Sequence, residues 1–150
     1  MAFPLPEPMA HALRLATAAG RAGAVPIAAV IVKNGDIIAA GVNAAPGGHD
    51  PTAHAEIIAI RSAAAALGQD KLEGCDIWVT LEPCAMCAGA MIHARLDRMV
   101  FATADPKAGA CGSVLSVLNH PHLNHQMVLE QGIATEESAE LLRAFFRARR

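Results

Sequence analysis

The amino-acid sequence predicts an α/β fold, a three-layer α/β/α sandwich whose central layer is a mixed five-stranded sheet. The main observation is an alternation along the chain between short apolar, β-branched runs and longer segments with apolar residues at helical spacing. The second is a strong hairpin signal between the first two apolar runs. No internal repeat, low-complexity tract or linker interrupts the pattern, so residues 1–150 are expected to form a single domain.

The N-terminal part of the chain predicts a helix followed by a strand. Residues 1–8 contain three prolines and are expected to be a flexible, extended lead-in. Apolar residues then recur at helical spacing, which predicts a helix over residues 9–22. The apolar, β-branched run over residues 25–32 is typical of a buried strand.

A hairpin turn and a loop follow that strand. Asn34-Gly35 is the strongest short hairpin signal in the chain, because both residues tolerate the positive φ of a type I′ turn. Residues 36–43 are therefore predicted to be the return strand. Residues 44–51 are rich in glycine and proline and are predicted to be a loop.

The rest of the chain alternates helices and strands. Apolar runs predict further strands over residues 76–81, 98–103 and 127–130. Helices are predicted over residues 52–67, 83–95 and, as a short element, 113–118. Asp50 or Thr52 is expected to cap the first of these helices, and Gly68 to end it. Thr135 is expected to cap a last helix with acidic residues early and arginines late.

Composition and charge exclude several classes of protein. With 53% hydrophobic and 17% charged residues, the chain is neither disordered nor a disulfide scaffold. Its formal net charge of −2 excludes nucleic-acid binding through bulk positive charge. No run of about 18 apolar residues is present, so no membrane span is expected. Four cysteines, two of them in one C-x-x-C motif, suit a reducing cytoplasm and a metal or redox site.

Two short motifs carry candidate metal ligands, and each opens a predicted helix. His54 lies in the first motif, and Cys84 and Cys87 share one side of the first helical turn in the second. A helix N-terminus favours negative charge and is expected to lower the pKa of these thiols. Zinc binds thiolates and imidazole tetrahedrally, and three protein ligands with an open fourth position are typical of a catalytic zinc site.

Glu56, two residues after His54, is predicted to be a catalytic residue that moves protons at the zinc site without binding the metal. The alternative is a solvated glutamate that complements the helix dipole. A second alternative is a redox site, because a C-x-x-C at a helix start after a strand is also the thioredoxin layout. The redox interpretation leaves the histidine and the glutamate of the first motif without a role.

Other ligand-type side chains are expected to be structural. Cys75 and Cys111 are interpreted as packing residues, because a fourth ligand would close the open position on the zinc. His120, His122 and His125 form a short tract of a kind that can bind metal. The three-ligand site already accounts for a metal, so the tract is not expected to be a second site.

The two motifs together resemble the zinc-dependent cytidine and adenosine deaminase superfamily, with its H-x-E and P-C-x-x-C signature. Longer stretches, residues 50–57 and 80–93, the loop 105–113 and the Phe-Phe-Arg segment 145–147, are similar to the bacterial tRNA-specific adenosine deaminase family. The resemblance extends from about residue 25 to the end of the chain. It implies a cytidine deaminase-like fold.

The resemblance implies hydrolytic deamination of the wobble adenosine of a tRNA anticodon to inosine, with an arginine tRNA of anticodon ACG as the expected substrate. One zinc ion per subunit would be bound by His54, Cys84 and Cys87. Glu56 would take a proton from the attacking water, deliver one to N1 of adenine and assist the departure of ammonia. The resemblance also implies a cytoplasmic homodimer that binds the anticodon stem-loop near its interface, with residues 88–96 as candidate dimer surface.

Further site residues follow from the resemblance and from charge. Asn43 would hydrogen-bond the base or ribose, and Asp105 would contact the anticodon backbone or a 2′-hydroxyl. Phe145 and Phe146 are the candidates for base stacking. A protein of net negative charge must bind RNA through a local basic patch. The candidate cations are Lys107, Arg143, Arg147, Arg149 and Arg150. The helix dipole alone would also account for the arginines.

The sequence departs from the family pattern at several positions, and other functions stay open. Ala24, Ala28 and Pro106 are the main departures, and the methyl group of Ala28 is expected to narrow the floor of the pocket. A deaminase of free nucleobases or nucleosides, such as guanine or cytosine, would use the same zinc site. A zinc-structured or redox binding module without turnover is the other alternative, and in it Glu56 would have no role.

Overall fold

The computed structural model of the chain describes residues 4–149. Their elements follow one another in the order α1 (Glu7–Arg21), β1 (Ala28–Lys33), β2 (Asp36–Val42), α2 (Ala55–Leu67), β3 (Cys75–Leu81), α3 (Ala85–His93), β4 (Arg98–Thr103), β5 (Val128–Gln131) and α4 (Thr135–Arg147). The strands form one five-stranded sheet in the order β2-β1-β3-β4-β5. β1 pairs antiparallel with β2 and β3, whereas β3, β4 and β5 are parallel, so the predicted mixed sheet is confirmed.

Helices cover both faces of the sheet, as predicted. Side chains of β1 alternate between two hydrophobic clusters because successive residues of a strand point to opposite faces. Val30 belongs to the cluster under α1 and α4, which also contains Met9. Ile31 belongs to the cluster under α2 and α3, which also contains Met91. Within the described residues, no helix has the length and apolar character needed to cross a membrane.

The predicted hairpin is confirmed, and several element boundaries differ from the prediction by up to three residues. Asn34 and Gly35 have φ values of 52° and 82°, as a type I′ turn requires. α1 begins at Glu7, which shortens the predicted lead-in, because a proline in the first helical turn leaves no hydrogen bond unmade. The first three residues of that lead-in lie outside the described part. β1 begins at Ala28, since Pro26 has no N–H to donate to a ladder.

The cap predicted for α2 is wrong, because a distant side chain supplies it. His54 is the N-cap residue, but its side chain makes no capping hydrogen bond. The Oδ1 atom of Asn43, at the end of β2, accepts from the N–H of Ala55 at 2.8 Å. Asp50 accepts instead from the N–H and the hydroxyl of Thr52, which closes a turn within the loop.

The cap predicted for α4 is also wrong. The N-cap residue is Ala134, with φ of 67°, and the hydroxyl of Thr135 donates to the carbonyl oxygen of Ala102 at 2.7 Å. The hydroxyl of Ser138 donates to the carbonyl oxygen of Thr80 at 2.5 Å. The hydroxyl that was expected to cap the helix, together with that of Ser138, therefore attaches the helix to the sheet.

The short helix predicted over residues 113–118 does not form. The segment is a turn closed by an isolated bridge between Cys111 and Ser116. Both the backbone N–H and the hydroxyl of Ser113 donate to the carboxylate of Glu82. The N–H and hydroxyl of Ser113 are therefore used in hydrogen bonds to a buried carboxylate and do not begin a helix.

Candidate active site

The N-termini of α2 and α3 bring three candidate metal ligands together. His54 is the N-cap residue of α2, Cys84 is the N-cap residue of α3, and Cys87 lies in the first turn of α3. The Nδ1 atom of His54 lies 3.7 Å from the Sγ atom of Cys84 and 3.6 Å from that of Cys87. All three atoms lie within 4.8 Å of one another. The ligand grouping predicted from the sequence is thus present.

These distances fit a zinc ion. Zn–N bonds of about 2.0–2.1 Å and Zn–S bonds of about 2.3 Å at a tetrahedral angle place nitrogen and sulfur about 3.6 Å apart. The observed separations agree with that value. Among residues 4–149, no other His, Cys, Asp or Glu completes this group or forms another of three. The site therefore has the three-ligand composition of a catalytic zinc centre.

The environment of Cys87 differs from the sequence-based expectation. Its side chain is fully buried. Burial, together with the negative charge of Glu56, raises the pKa of the Cys87 thiol above its ordinary value. At Cys87, burial therefore outweighs the lowering of the pKa expected from the helix N-terminus. A bound cation supplies the charge that holds such a thiol as a thiolate.

Glu56 is buried beside the ligands. The residue is only 4% exposed, which rules out the solvated glutamate considered from the sequence. With His54 and Cys84 it lines a cavity of about 150 Å³. The N-cap backbone of His54 is extended, with ψ of 155°, and this lets two side chains that a regular helix would separate face one cavity. Burial raises the pKa of Glu56, as is common for carboxyl groups that transfer protons.

The other walls of the cavity are partly apolar and partly polar. Ile27 and Leu81 supply apolar surface, whereas Asn43 and Asp105 supply polar groups. The Oδ1 atom of Asn43 is engaged by α2, so the amide nitrogen is the group left to serve as a donor. The Oδ1 atom of Asp105 accepts from the N–H groups of Lys107 and Ala108, at 3.0 Å and 3.2 Å.

Glu82 is a wall residue to which the sequence analysis assigned no role. It is only 3% exposed, and its carboxylate accepts hydrogen bonds from Ser113, Cys111 and Asp105. Burial by itself would raise the pKa of Glu82, but these hydrogen bonds outweigh it and hold the pKa below its usual value. The sequence feature that could have indicated this role is an acidic residue placed between a buried strand and the Pro-Cys of the zinc motif.

The candidate RNA-contact residues separate into two groups. Phe146, Lys107 and Arg143 line a groove of about 540 Å³ that shares Asp105 with the wall of the smaller cavity. Arg147 lies outside that lining, and its guanidinium is 2.8 Å from a carboxylate oxygen of Glu140.

Arg149, the next arginine of the predicted patch that the structure describes, does not line the groove. Arg149 stacks on the ring of Phe145, with 3.5 Å between the guanidinium carbon and the ring centroid. Because Phe145 is buried, its ring is not available for base stacking, whereas Phe146 is exposed. Arg150, the last cation of the predicted patch, lies outside the described residues. Among the described residues, the groove is therefore lined by two cations, Lys107 and Arg143, and Arg143 is paired with Glu136 and Glu140.

The other ligand-type residues make structural contacts. Cys75 and Cys111 are buried, and neither joins the three-ligand group. His120 and His122 contact each other, with ring centroids 5.5 Å apart. The Nε2 atom of His125 lies 2.6 Å from the carbonyl oxygen of Leu96. No second metal group exists in the described part of the chain.

The expected effect of Ala28 on the pocket is not observed. Ala28 is fully buried in the cluster under α1, with Met9 and Val30, and it does not line the cavity beside the ligands. Its methyl group points to the opposite face of the sheet from α2 and α3. The methyl group of Ala28 therefore packs in the core and does not narrow the cavity floor.

Comparison with known proteins agrees with this geometry. The family described as the cytidine and deoxycytidylate deaminase zinc-binding region matches residues 6–103. The tRNA-specific adenosine deaminase of Agrobacterium fabrum (strain C58 / ATCC 33970) is 46% identical over 142 residues, which cover 95% of this chain and 93% of the relative.

Solved structures extend the comparison. A structure from work on A-to-I editing by tRNA:A34 deaminases at the wobble position of transfer RNA has a TM-score of 0.86 and 45% identity, covering 91% of this chain and 99% of that chain. The guanine deaminase of Nitrosomonas europaea has a TM-score of 0.77 and 27% identity, and the match covers 97% of this chain and 85% of that chain. The chain therefore belongs to the zinc-dependent cytidine and deoxycytidylate deaminase family and, within it, to the tRNA-specific adenosine deaminases.

Proposed function

We propose that this protein hydrolyses the wobble adenosine of a tRNA anticodon to inosine, with release of ammonia. The observation that carries the chemistry is the burial of Glu56 in one cavity with His54 and Cys84 of the three-ligand group. The choice of substrate is supported by the 46% identical relative, named a tRNA-specific adenosine deaminase, and by the similar tRNA:A34 deaminase structure.

The reaction needs an activated water and a residue that carries protons. His54, Cys84 and Cys87 would hold a zinc ion, which would supply a Lewis acid able to lower the pKa of water toward neutrality. Glu56 accepts a proton from the attacking water and donates one to N1 of adenine. It then assists protonation of the leaving amino group. The burial of Glu56 supports this role, because it raises the pKa of the carboxyl group and so makes it a better proton donor after it has accepted a proton.

Asn43 and Asp105 are suited to hold the nucleoside in the cavity. The amide nitrogen of Asn43 is available as a donor to the base or ribose, because α2 holds the Oδ1 atom. Asp105 lines the same cavity and offers a carboxylate acceptor for a ribose 2′-hydroxyl. A contact to that hydroxyl would favour RNA over DNA.

The groove beside the cavity is suited to the neighbouring nucleotides. Phe146 is 50% exposed there, which makes its ring available for base stacking. Lys107 and Arg143 line the same groove and are suited to phosphate contacts, for which Arg143 would exchange its ion pairs with Glu136 and Glu140. Arg147, which does not line the groove, would contribute by exchanging its ion pair with Glu140 for a phosphate.

A homodimer in the cytoplasm completes the proposal. Ala88 and Met91 of α3 are buried in the core, so residues 88–96 can offer a dimer surface only on their outer side. That side forms a cleft with Ile57 and Ile60 of α2, which are half-buried and apolar. The four cysteines are all free thiols, which suits a reducing compartment.

The test is inosine formation in an unmodified arginine tRNA with anticodon ACG, using zinc-loaded protein. Wild type should form inosine at the wobble position, and Glu56→Gln should serve as the inactive background. A wobble-position guanosine variant of the same tRNA checks that only adenosine is converted. A folded, zinc-loaded wild type that forms no inosine would contradict the proposal.

A deaminase of free nucleobases is the second candidate. It is supported by the similarity to the guanine deaminase of Nitrosomonas europaea, and by a cavity of only about 150 Å³ beside the ligands. Ammonia release from guanine, cytosine or adenosine by wild type, without inosine in tRNA, would favour it. A binding module without turnover predicts that Glu56→Gln and wild type are equally inert on every substrate.

A further inference from the structure

Glu82 connects the strand that precedes the zinc motif to a single loop, residues 105–113. Its Oε1 atom accepts from the N–H of Asp105 at 3.1 Å and from the hydroxyl of Ser113. Its Oε2 atom accepts from the N–H groups of Cys111 at 2.9 Å and Ser113 at 3.1 Å. Both ends of the loop therefore bind the same carboxylate, and both of its oxygens are used.

The loop is shaped to admit this carboxylate. A Cβ atom at Gly109 would overlap the carboxylate of Glu82 and would lie 2.6 Å from the carbonyl oxygen of Asp105. Beside it, the N–H of Ala110 donates to the carbonyl oxygen of Pro83 at 2.8 Å. Because Gly109 has no side chain and Ala110 makes a backbone hydrogen bond to Pro83, the middle of the loop packs against the zinc motif.

The carboxylate and the loop depend on each other energetically. Glu82 is only 3% exposed, so its charge would be strongly unfavourable without these donors. Hydrogen bonds to a charged group are roughly twice as strong as neutral ones. The same four bonds therefore stabilise the buried charge and select one conformation of the loop.

The loop conformation in turn places two candidate substrate contacts. Asp105 lines the cavity beside the ligands, and Lys107 lines the adjoining groove. The carboxylate of Asp105 is fixed by the N–H groups of Lys107 and Ala108, so its direction follows the backbone of the loop. A shift of that backbone would move both contacts together.

We propose that Glu82 is a positioning residue, whose carboxylate holds the 105–113 loop in place as the wall of the substrate site. The role concerns the loop, because Glu82 is not part of the three-ligand metal group. The substrate part of this inference rests on the proposed function. The structural part, that the carboxylate orders the loop, can be measured without any substrate.

The experiment is hydrogen exchange of the zinc-loaded Glu82→Gln protein, followed by mass spectrometry. Glutamine keeps the volume, but its amide nitrogen cannot accept a hydrogen bond from the loop. Amides of the 105–113 loop should exchange about tenfold or more faster than in wild type, while those of β3 and β4 stay unchanged. Glu130→Gln, which alters an exposed partner of Arg98, is the matched control and should not affect the loop.

Substrate kinetics separate positioning from a general loss of structure. Glu82→Gln should retain one zinc per chain and should raise KM for the anticodon stem-loop by about tenfold, with a smaller change in kcat. Unchanged exchange in the loop would overturn the proposal. Loss of zinc, or faster exchange throughout the sheet, would also overturn it, because the role would then be one of overall stability.

A second variant covers the case in which Glu82→Gln does not fold. Ser113→Ala removes only the hydroxyl donor and should accelerate exchange at the same amides to a smaller extent. Wild-type exchange in Ser113→Ala would then overturn the proposal. If wild type itself forms no inosine, the proposed function fails, whereas the exchange data still decide whether Glu82 orders the loop.

Discussion

Replacement of the buried Glu56 by glutamine should abolish most of the activity while leaving the site assembled. Glutamine has nearly the same volume and fills the same buried space, so the metal ligands His54, Cys84 and Cys87 keep their positions. It cannot carry a proton between water and the base. General acid–base catalysis of this kind typically contributes 10²–10⁴-fold, or about 3–5 kcal/mol of barrier, so the rate should fall by that factor.

The assay is a single-turnover measurement of inosine formation, which reports the chemical step without product release. Zinc content is determined on the same samples, and one zinc per chain is expected in both proteins. Glu137→Gln is the matched control, because Glu137 is exposed in the first turn of α4 and lies outside the cavity. A Glu56→Gln rate within about threefold of wild type, at equal zinc content, would refute the role assigned to Glu56.

Three further predictions concern the metal, the sheet and the RNA groove. Cys87→Ser should reduce zinc content well below one per chain and abolish activity, since a buried serine is a poor zinc ligand; full zinc content by elemental analysis would contradict the ligand assignment. Arg98→Met should lower the free energy of unfolding by about 1–2 kcal/mol, because it removes the ion pairs of a partly exposed guanidinium with Asp76 and Glu130; an unchanged urea midpoint would show that these pairs contribute nothing to stability. Phe146→Ala should raise KM for the stem-loop by about 5- to 150-fold, as expected for one lost base stack, with zinc content unchanged; an unchanged KM would remove this ring from the RNA site.

The order of the elements and the metal ligands could be predicted from local sequence because each depends on nearby residues. The Asn34-Gly35 turn needs only two residues that tolerate positive φ, and both have it. Cys84 and Cys87 face one side of a single helical turn, and the histidine of the other motif supplies the third ligand at the expected distance. The family resemblance then specified the chemistry, which the comparisons support.

The roles of individual polar side chains could not be predicted, because hydrogen-bond partners are chosen in three dimensions. Asp50 and Thr52 are the local candidates for the cap of α2, but Asn43, which follows β2, accepts the hydrogen bond from the first N–H of the helix. Glu82 accepts hydrogen bonds from residues 23 to 31 positions further along the chain, a separation that no local sequence pattern predicts.

Sequence by itself determined the α/β class, the hairpin and the set of zinc ligands of this protein. Only the tertiary structure decided which face of the sheet Ala28 occupies and how deeply Glu56 is buried. It also decided that the pKa of Cys87 is raised although the residue lies at a helix N-terminus. The physical reason is that periodicity and spacing depend on neighbours along the chain, whereas burial and electrostatics sum over everything that packs around a group.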